Sequence, residues 1–359
     1  MAETPEEMGV PKWTGTPEEN SKLLLAATRL FGAGELGFAE LDSTYRNKLM
    51  SVNTKGGATG LQWIDTDPAD IPPTVAQPIV YEDVPEAYYT DEKYVCPTSQ
   101  HWVLFIGGPE PRETDKTAIS RISKSNLVSN STIRKLVYFS TFNFLRALGY
   151  HCFGGTGHGR DAFQTGQIAV LTGCSETARM SNWPLSIAYG PRAYDIAQII
   201  DMPVAPTHPV DAGMWRFCQT CGLCAEACPP GAIPGLEVGE PSYEMPPIEG
   251  KPDTQHAHGP KLFWYNGSLC NLWRRENYPG SGCSLCAACC SFSVGNEAMI
   301  HNVIKGTVAT TGLFNSFFAS MNNFFGYGTF KDPEEWWDMS LPMFGIDSTV
   351  TAWDGGYRK

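Results

Sequence analysis

Apolar positions recur at helical spacing in TGTPEENSKLLLAATRLFGA (14–33), where Leu23, Leu24, Ala27 and Leu30 share a face. Thr16 is placed to cap that helix. Pro17 suits its first turn, and Glu19 completes a capping box with Thr16. STIRKLVYFSTFNFLRALGY (131–150) predicts a second amphipathic helix, and residues 185–202 a third. LGFAELD (36–42), HWVLFIGG (101–108) and QIAVLTG (167–173) predict strands. The stretch between the first two strands is rich in Pro, Asp and Thr and reads as a long surface excursion. HCFGGTGHGRD (151–161) is a glycine-rich loop. Helices alternating with strands imply an α/β or α+β core, with α+β as the fold class carried forward.

Past residue 215 the periodic pattern stops, and cysteine and proline dominate up to residue 292. A segment of that kind is held by metal more than by a core of its own. Residues 293–359 are rich in aromatics, among them Phe314, Phe317, Phe318, Phe324, Phe325, Trp336, Trp337 and Trp353. That is not the composition of a disordered tail. The expected organisation is a core over 1–214, a cysteine-rich domain over 215–292, and a C-terminal segment over 293–359 that packs back on the core.

The net charge of -12, with no Lys/Arg-rich run, argues against a nucleic-acid partner, since affinity for phosphate backbones rests on basic side chains. No apolar run approaches the ~18–20 residues of a spanning helix. The start, MAETPEEMGVPKW, has neither a signal-type apolar run nor a twin arginine. Two locations fit: the cytoplasm, or the mature form of an exported, membrane-associated protein whose signal has been removed.

Nine of the 12 cysteines fall between Cys218 and Cys290, a clustering that reads as metal ligation rather than a disulfide framework. Cys96, Cys152 and Cys174 stand alone and read as buried small apolar residues. FCQTCGLCAEACPP (217–230) contains C-x2-C-x2-C-x3-C-P at Cys218, Cys221, Cys224, Cys228 and Pro229. Three thiolates at that spacing wrap one 4Fe–4S cube, and the fourth ligates the other cube of a two-cluster protein. A zinc site would show two CxxC pairs with a longer gap. Cys270, Cys283, Cys286 and Cys290 supply the four thiolates still needed. Reciprocal ligation then gives Cys218, Cys221, Cys224 and Cys290 to one cluster, and Cys228, Cys270, Cys283 and Cys286 to the other. Cys289 is left over, although its spacing also lets it replace Cys290.

This cysteine pattern resembles that of the corrinoid-dependent reductive dehalogenases. Other stretches agree in order and character: GTPEENSKLLLAATRLFGAGELGFAELD, RALGYHCFGG, the GCSE after IAVLT, YGPRAYDIAQIIDMPVAPTHPVDAGMWRFC, and LFWYNGSLC. The resemblance implies a nitroreductase-like corrinoid-binding core with a ferredoxin-like insert carrying two 4Fe–4S clusters. It implies a base-off cobamide with no protein histidine below the cobalt. D-x-H-x-x-G is absent, and the histidines of DTQHAHG (253–259) have the wrong spacing for it. The implied reaction replaces halogen by hydrogen on a small organohalide. Electrons come from a low-potential donor through the clusters, and a tyrosine beside a cation delivers the proton.

Carried onto this chain, the tyrosine falls near Tyr138, with Tyr150 as a second candidate. Where members often have an arginine in G-P-x-x-R, this chain has Tyr194; Arg192 is placed either to take over the cationic role or to be a surface arginine. The asparagine of several members falls near Asp161. Gly154, Gly155, Gly157 and Asp161 are candidate corrinoid contacts, the alternative being a turn-rich connection. A membrane anchor would be a separate small subunit, and homo-oligomerisation stays open. Two other functions fit the cysteines: an epoxyqueuosine-reductase-like enzyme of the same cofactor class, and a non-catalytic two-cluster electron carrier.

Overall fold

A computed structural model describes residues 1–53, 77–155, 165–181, 183–244, 259–277, 283–294, 299–328 and 330–336. Up to the end of the first long helix pair, the elements are α1 (Pro5–Met8), α2 (Pro17–Phe31), β1 (Glu35–Glu40), α3 (Ser43–Leu49), β2 (Val52–Asn53), β3 (Gln77–Glu82), β4 (Tyr88–Tyr89), β5 (Tyr94–Pro97), β6 (Trp102–Pro109), α4 (Arg112–Asp115) and α5 (Arg121–Leu148). They continue with β7 (Cys152–Gly155), α6 (Thr165–Leu171), β8 (Ser175–Glu176), β9 (Leu185–Ser186) and β10 (Ala193–Ile200). The cysteine segment and tail contribute α7 (Met214–Cys221), α8 (Leu223–Glu226), α9 (Gly267–Asn277), α10 (Leu285–Ala288), α11 (Met299–Thr310) and α12 (Asn315–Phe324).

The central sheet has the order β1-β6-β10-β7, with every neighbouring pair antiparallel. Both of its faces are buried, and the two-residue period of a strand divides the side chains between them. Val103, Phe105, Ala197 and Ile199 face one apolar core with Ile168 and Ala169 of α6. Leu104, Ile106, Tyr194, Ile196 and Ile200 face a second, with Leu24 of α2 and Ile133, Val137 and Leu145 of α5. The last three recur every fourth residue or two turns apart, which keeps them on one side of α5.

α2 forms where the sequence places it: Thr16 and Glu19 make a capping box, Pro17 opens the helix, and Gly32 at φ 113° closes it. Four expectations change. Residues 185–202 hold β9 and β10, not a helix. Buried on both faces, β10 has no polar side to its alternation, and its apolar spacing mimics a helix. QIAVLTG is helical, not a strand; α6 is short enough that one apolar run fits either period. α5 begins at Arg121, ten residues before the apolar pattern does. Its first turns bury polar side chains instead, including Ser123, Asn130 and Arg134. The supposed surface excursion contains α3 and a second sheet, order β2-β3-β5-β4, that buries Tyr94, Val95 and Cys96; residues 54–76 of it lie outside the described residues.

A third apolar core joins the cysteine segment to the tail. Phe217, Phe263 and Phe292 meet Val308 of α11 and Ala319 of α12, together with Ala178, Met180 and Leu185 from before residue 214. α11 and α12 thus pack on α7 and share this core with residues from before 214. At Lys331 the tail reaches α4: its amide donates to Lys116 O and its ammonium pairs with Glu113 at 2.7 Å. Trp337 and Trp353 lie outside the described residues. Among the described residues no helix is long and apolar enough to cross a membrane.

Candidate metal centre

Two charged side chains from the GCSETAR stretch fix α7, the helix that presents Cys218 and Cys221. Glu176 accepts from the backbone N–H of Ala212, Met214 and Trp215, the first being the shortest contact. A carboxylate there meets both the unpaired amides and the positive end of the helix. Burial pushes its pKa up, and those amide bonds oppose the shift. Arg179, 1% exposed, does the complementary job. Its guanidinium donates to the carbonyls of Cys218 (2.8 Å), Pro234 (3.2 Å), Gly235 (2.6 Å) and Val238 (3.0 Å), and lies 4.5 Å above the Phe263 ring. Neither residue was singled out from the sequence. The signal open to it was a GCSETAR run with no chemistry assigned.

The structure shows a local repeat among the cysteines. Cys221-Gly222-Leu223-Cys224-Ala225-Glu226-Ala227-Cys228 and Cys283-Ser284-Leu285-Cys286-Ala287-Ala288-Cys289-Cys290 follow the same course from Gly222 to Ala227 and from Ser284 to Cys289. Gly222 and Ser284 are both left-handed, at φ 69° and 60°, ahead of the four-residue helices α8 and α10. Ala227 and Cys289 cap those helices at φ -78° and -84°. α8 and α10 pack against each other. In this repeat Cys290 matches Cys228, and Cys289 matches an alanine. The Cys289 thiol is buried and points at Leu223 O and Cys286 O, each 3.5 Å away.

Electrostatic reach sorts the thiols into two neighbouring sets. Cys224 feels Cys218 and Cys290, Cys290 feels Cys218 and Cys221, and Cys218 feels Cys221. Cys270 feels Cys283 and Cys228, Cys283 feels Cys228, and Cys286 feels Cys283 and Cys270. The sets touch where Cys224 feels Cys286. Cys289 belongs to neither set alone, since Cys224, Cys290 and Cys286 all feel it. Burial is the leading cause of the raised pKa at Cys218, which reaches about 12, and at Cys221, Cys224, Cys270, Cys283, Cys286 and Cys290. Among the described residues, no three His, Cys, Asp or Glu side chains close on one point as around a single ion. A cube carries its thiolates on separate corners, farther apart than a tetrahedral zinc does. An all-sulfur, soft donor set in two fours fits iron–sulfur clusters.

In the α+β core, Tyr138 lies on α5 with its hydroxyl donating to Gly154 O at 2.9 Å. The structure therefore brings the tyrosine to the start of the glycine-rich loop. Gly154 itself (φ 125°) faces β10: an added Cβ would lie 2.5 Å from Ala197 O, so this glycine serves the strand pairing. Gly155 ends β7. Gly157 and Asp161, like His256 and His258, lie outside the described residues. Tyr150 donates to Trp13 O at 3.0 Å and pins the N-terminal segment.

Tyr194 is corrected to a packing residue. It is 1% exposed, its hydroxyl donates to Gly32 O at 2.6 Å, and its ring sits over Gly108. Arg192 is buried rather than superficial, at 3% exposed. Its guanidinium lies 2.5 Å from Asp115 and 3.8 Å from Glu110, and donates to Ser284 O at 3.3 Å. Glu110 also accepts from Asn130, and Arg134 pairs with Asp195 at 2.9 Å. Burial outweighs Arg192 and holds the Glu110 pKa at about 7. Arg134 stands four residues before Tyr138 on α5, one helical turn away, with its guanidinium held by Asp195. On the opposite edge of the sheet, Glu35 is half-buried; it accepts from Ser186 at 3.0 Å, and the burial of its carboxyl pushes its pKa up to about 8. An open hollow of 720 Å³ between α2 and α5 is lined by Phe31, Leu136, Phe139 and Phe144, and by none of the nominated residues.

A family model described as a reductive dehalogenase subunit matches residues 1–204. The chain belongs to the reductive dehalogenase family. It is 31% identical over 360 residues to the trichloroethene reductive dehalogenase of Dehalococcoides mccartyi, covering 95% of this chain and 60% of that one. It is 27% identical to the tetrachloroethene reductive dehalogenase of Sulfurospirillum multivorans, covering 97% of this chain and 65% of that one. The chain thus spans less than two thirds of the length of these reductive dehalogenases. Among solved structures, the catabolic reductive dehalogenase NpRdhA in complex with 3-bromo-4-hydroxybenzoic acid matches with a TM-score of 0.63 at 16% identity. The match covers 88% of this chain and 37% of NpRdhA. A second reductive dehalogenase structure, described as suggesting a mechanism for B12-dependent dehalogenation, covers 91% of this chain and 39% of its own at the same score. At that identity the likeness speaks for a shared, mixed helix-and-sheet reductive dehalogenase fold.

Proposed function

We propose that this chain carries out corrinoid-dependent reductive dehalogenation, replacing halogen by hydrogen on a small organohalide with electrons from a low-potential donor. The observation that carries this reading is the pair of matched cysteine turns docked on the α+β core of a reductive dehalogenase. In the finer reading, residues 1–214 are a nitroreductase-like corrinoid-binding core and the cysteine segment is a ferredoxin-like insert. Cys218, Cys221, Cys224 and Cys290 would hold one 4Fe–4S cluster, and Cys228, Cys270, Cys283 and Cys286 the other. Once bound, the clusters supply single-electron transfer, and a base-off cobamide supplies the reducing metal at which a carbon–halogen bond is cleaved. Tyr138 holds a proton at its hydroxyl, oriented by Gly154 O, and Arg134 one turn away favours the phenolate left after transfer. Gly155, Gly157 and Asp161 are the proposed corrinoid contacts.

The test is an anaerobic assay of iron, sulfide and cobalt per chain after reconstitution with cobamide, followed by a screen of chlorinated and brominated substrates. About eight irons and one cobalt, with halide released, are expected. Eight irons without cobalt would leave an electron carrier and overturn the dehalogenase reading.

A further inference from the structure

Ser284 lies between two proposed ligands, Cys283 and Cys286, and it is left-handed without being glycine. A side chain disfavours that conformation, because its Cβ crowds the following carbonyl. The matching turn in the other cysteine group uses Gly222, where the conformation is free. What distinguishes the Ser284 turn is Arg192. The guanidinium reaches across from the turn before β10 and donates to the Ser284 carbonyl. It is itself held by Asp115 at the end of α4, which packs on α10. Its Nε–H has no hydrogen-bond acceptor among the described residues, so one buried donor is uncommitted.

We propose that Arg192, balanced by Asp115 and Glu110, is the positioning residue of the Cys228/Cys270/Cys283/Cys286 group and sets the reduction potential of the cluster held there. This rests on the iron–sulfur reading above. The reasoning is one of charge. Adding an electron makes a cluster more negative, and an unscreened cation nearby favours that state. Arg192 reaches this group through the carbonyl of Ser284, the residue that follows Cys283, while Arg274 of α9 stands one helical turn from Cys270. It is no bare cation, because two buried carboxylates face it. The field at the cluster is the difference between the two signs, so removing either partner moves it in opposite directions. A role confined to propping the turn would not change sign with the partner removed.

The experiment is an EPR-monitored redox titration of the full chain with its clusters reconstituted anaerobically. Signals are assigned to each cluster with Cys270→Ser and Cys221→Ser. Arg192→Gln is expected to lower the potential of the cluster that Cys270→Ser perturbs, and Asp115→Asn to raise it. Each shift should be about tenfold in the ratio of reduced to oxidised cluster, or about 59 mV for one electron. Arg192→Lys keeps the charge and should stay near wild type; if Arg192→Gln fails to assemble the cluster, Arg192→Lys and Asp115→Asn decide. Shifts of the same sign, or no shift with both clusters intact, would overturn the assignment. A wild-type chain that assembles no cluster would instead remove the iron–sulfur reading on which it stands.

Discussion

Arg179→Met tests whether the cysteine segment is placed by charged hydrogen bonds from the core. The substitution keeps most of the apolar stem and removes the guanidinium. Four carbonyl contacts of 3.2 Å or less disappear, to Cys218, Pro234, Gly235 and Val238. A net hydrogen bond contributes about 1 kcal/mol, and one to a charged donor about 1.5–3 kcal/mol. The contact with the Phe263 ring adds roughly 1 kcal/mol. Against this, an isolated buried guanidinium carries a desolvation cost that the methionine does not. The balance is a loss of about 3–5 kcal/mol, a large share of the ~5–15 kcal/mol that holds a typical domain together. The assay is denaturant unfolding followed at the tryptophans, with iron content measured in parallel. A variant within about 1 kcal/mol of wild type, with full iron, would refute the reasoning, because it would mean that apolar packing and metal place the segment without Arg179.

Three further outcomes are expected. Glu35 is protonated in the fold up to about pH 8, against an ordinary value of 4.5, so the unfolded chain ionises first as pH rises. Its contribution is therefore neutral below about pH 4.5, erodes stability by a few kcal/mol between the two values, and is flat above them. Glu35→Gln should flatten that slope in unfolding midpoints taken from about pH 5 to 8, and parallel profiles for the two proteins would rule this out. Cys289→Ser should keep the iron content of wild type, whereas Cys290→Ser should lose part of it; the reverse result would exchange their roles. Tyr138→Phe should retain iron and cobalt but lower the turnover of an accepted halogenated substrate by roughly 10²–10⁴-fold, and unchanged turnover would take the proton donor elsewhere.

Legibility from the sequence followed the physics of each element. α2 was readable because its capping box, its first-turn proline and its terminal glycine are local signals. β6 was readable as a single apolar run. β10 was not, since burial on two faces removes the alternation that marks a strand. The start of α5 was hidden because its buried residues are polar, and hydrophobic period is blind to Asn130 and Arg134. The division of the cysteines into two tight groups was legible from spacing. The C-x-L-C-A-x-x-C repeat that sets Cys290 opposite Cys228 also lay in the sequence, but it gains meaning only when Gly222 and Ser284 share a conformation. Arg192 was legible as a cation of interest and misplaced as to its partners, which come from α4 and the Ser284 turn, far from it along the chain.

The three charged anchors of the cysteine segment come from one short stretch of the core, 176–192, and each sign suits what it meets. Glu176 faces amides at the start of α7; Arg179 and Arg192 face carbonyls. Buried charges are a costly way to join two parts of a protein when apolar side chains will serve. Here the apolar contact is made by Phe217, Phe263 and Phe292 against Ala178, Met180 and Leu185, and thiols take up much of the rest of the segment's interior. Backbone amides and carbonyls are what such a segment has to offer, and buried ones must be paired. Charged side chains reaching from a rigid sheet and its turns satisfy them while fixing direction, which apolar contact does not. The same placement gives the core electrostatic access to both cysteine groups, Arg179 beside Cys218 and Arg192 beside Cys286. On the proposal above, docking of the segment and tuning of its clusters would be carried by the same side chains. For that reason the redox titration of Arg192 and Asp115 variants must be read beside their iron content, since a change in potential with the clusters intact separates the two roles.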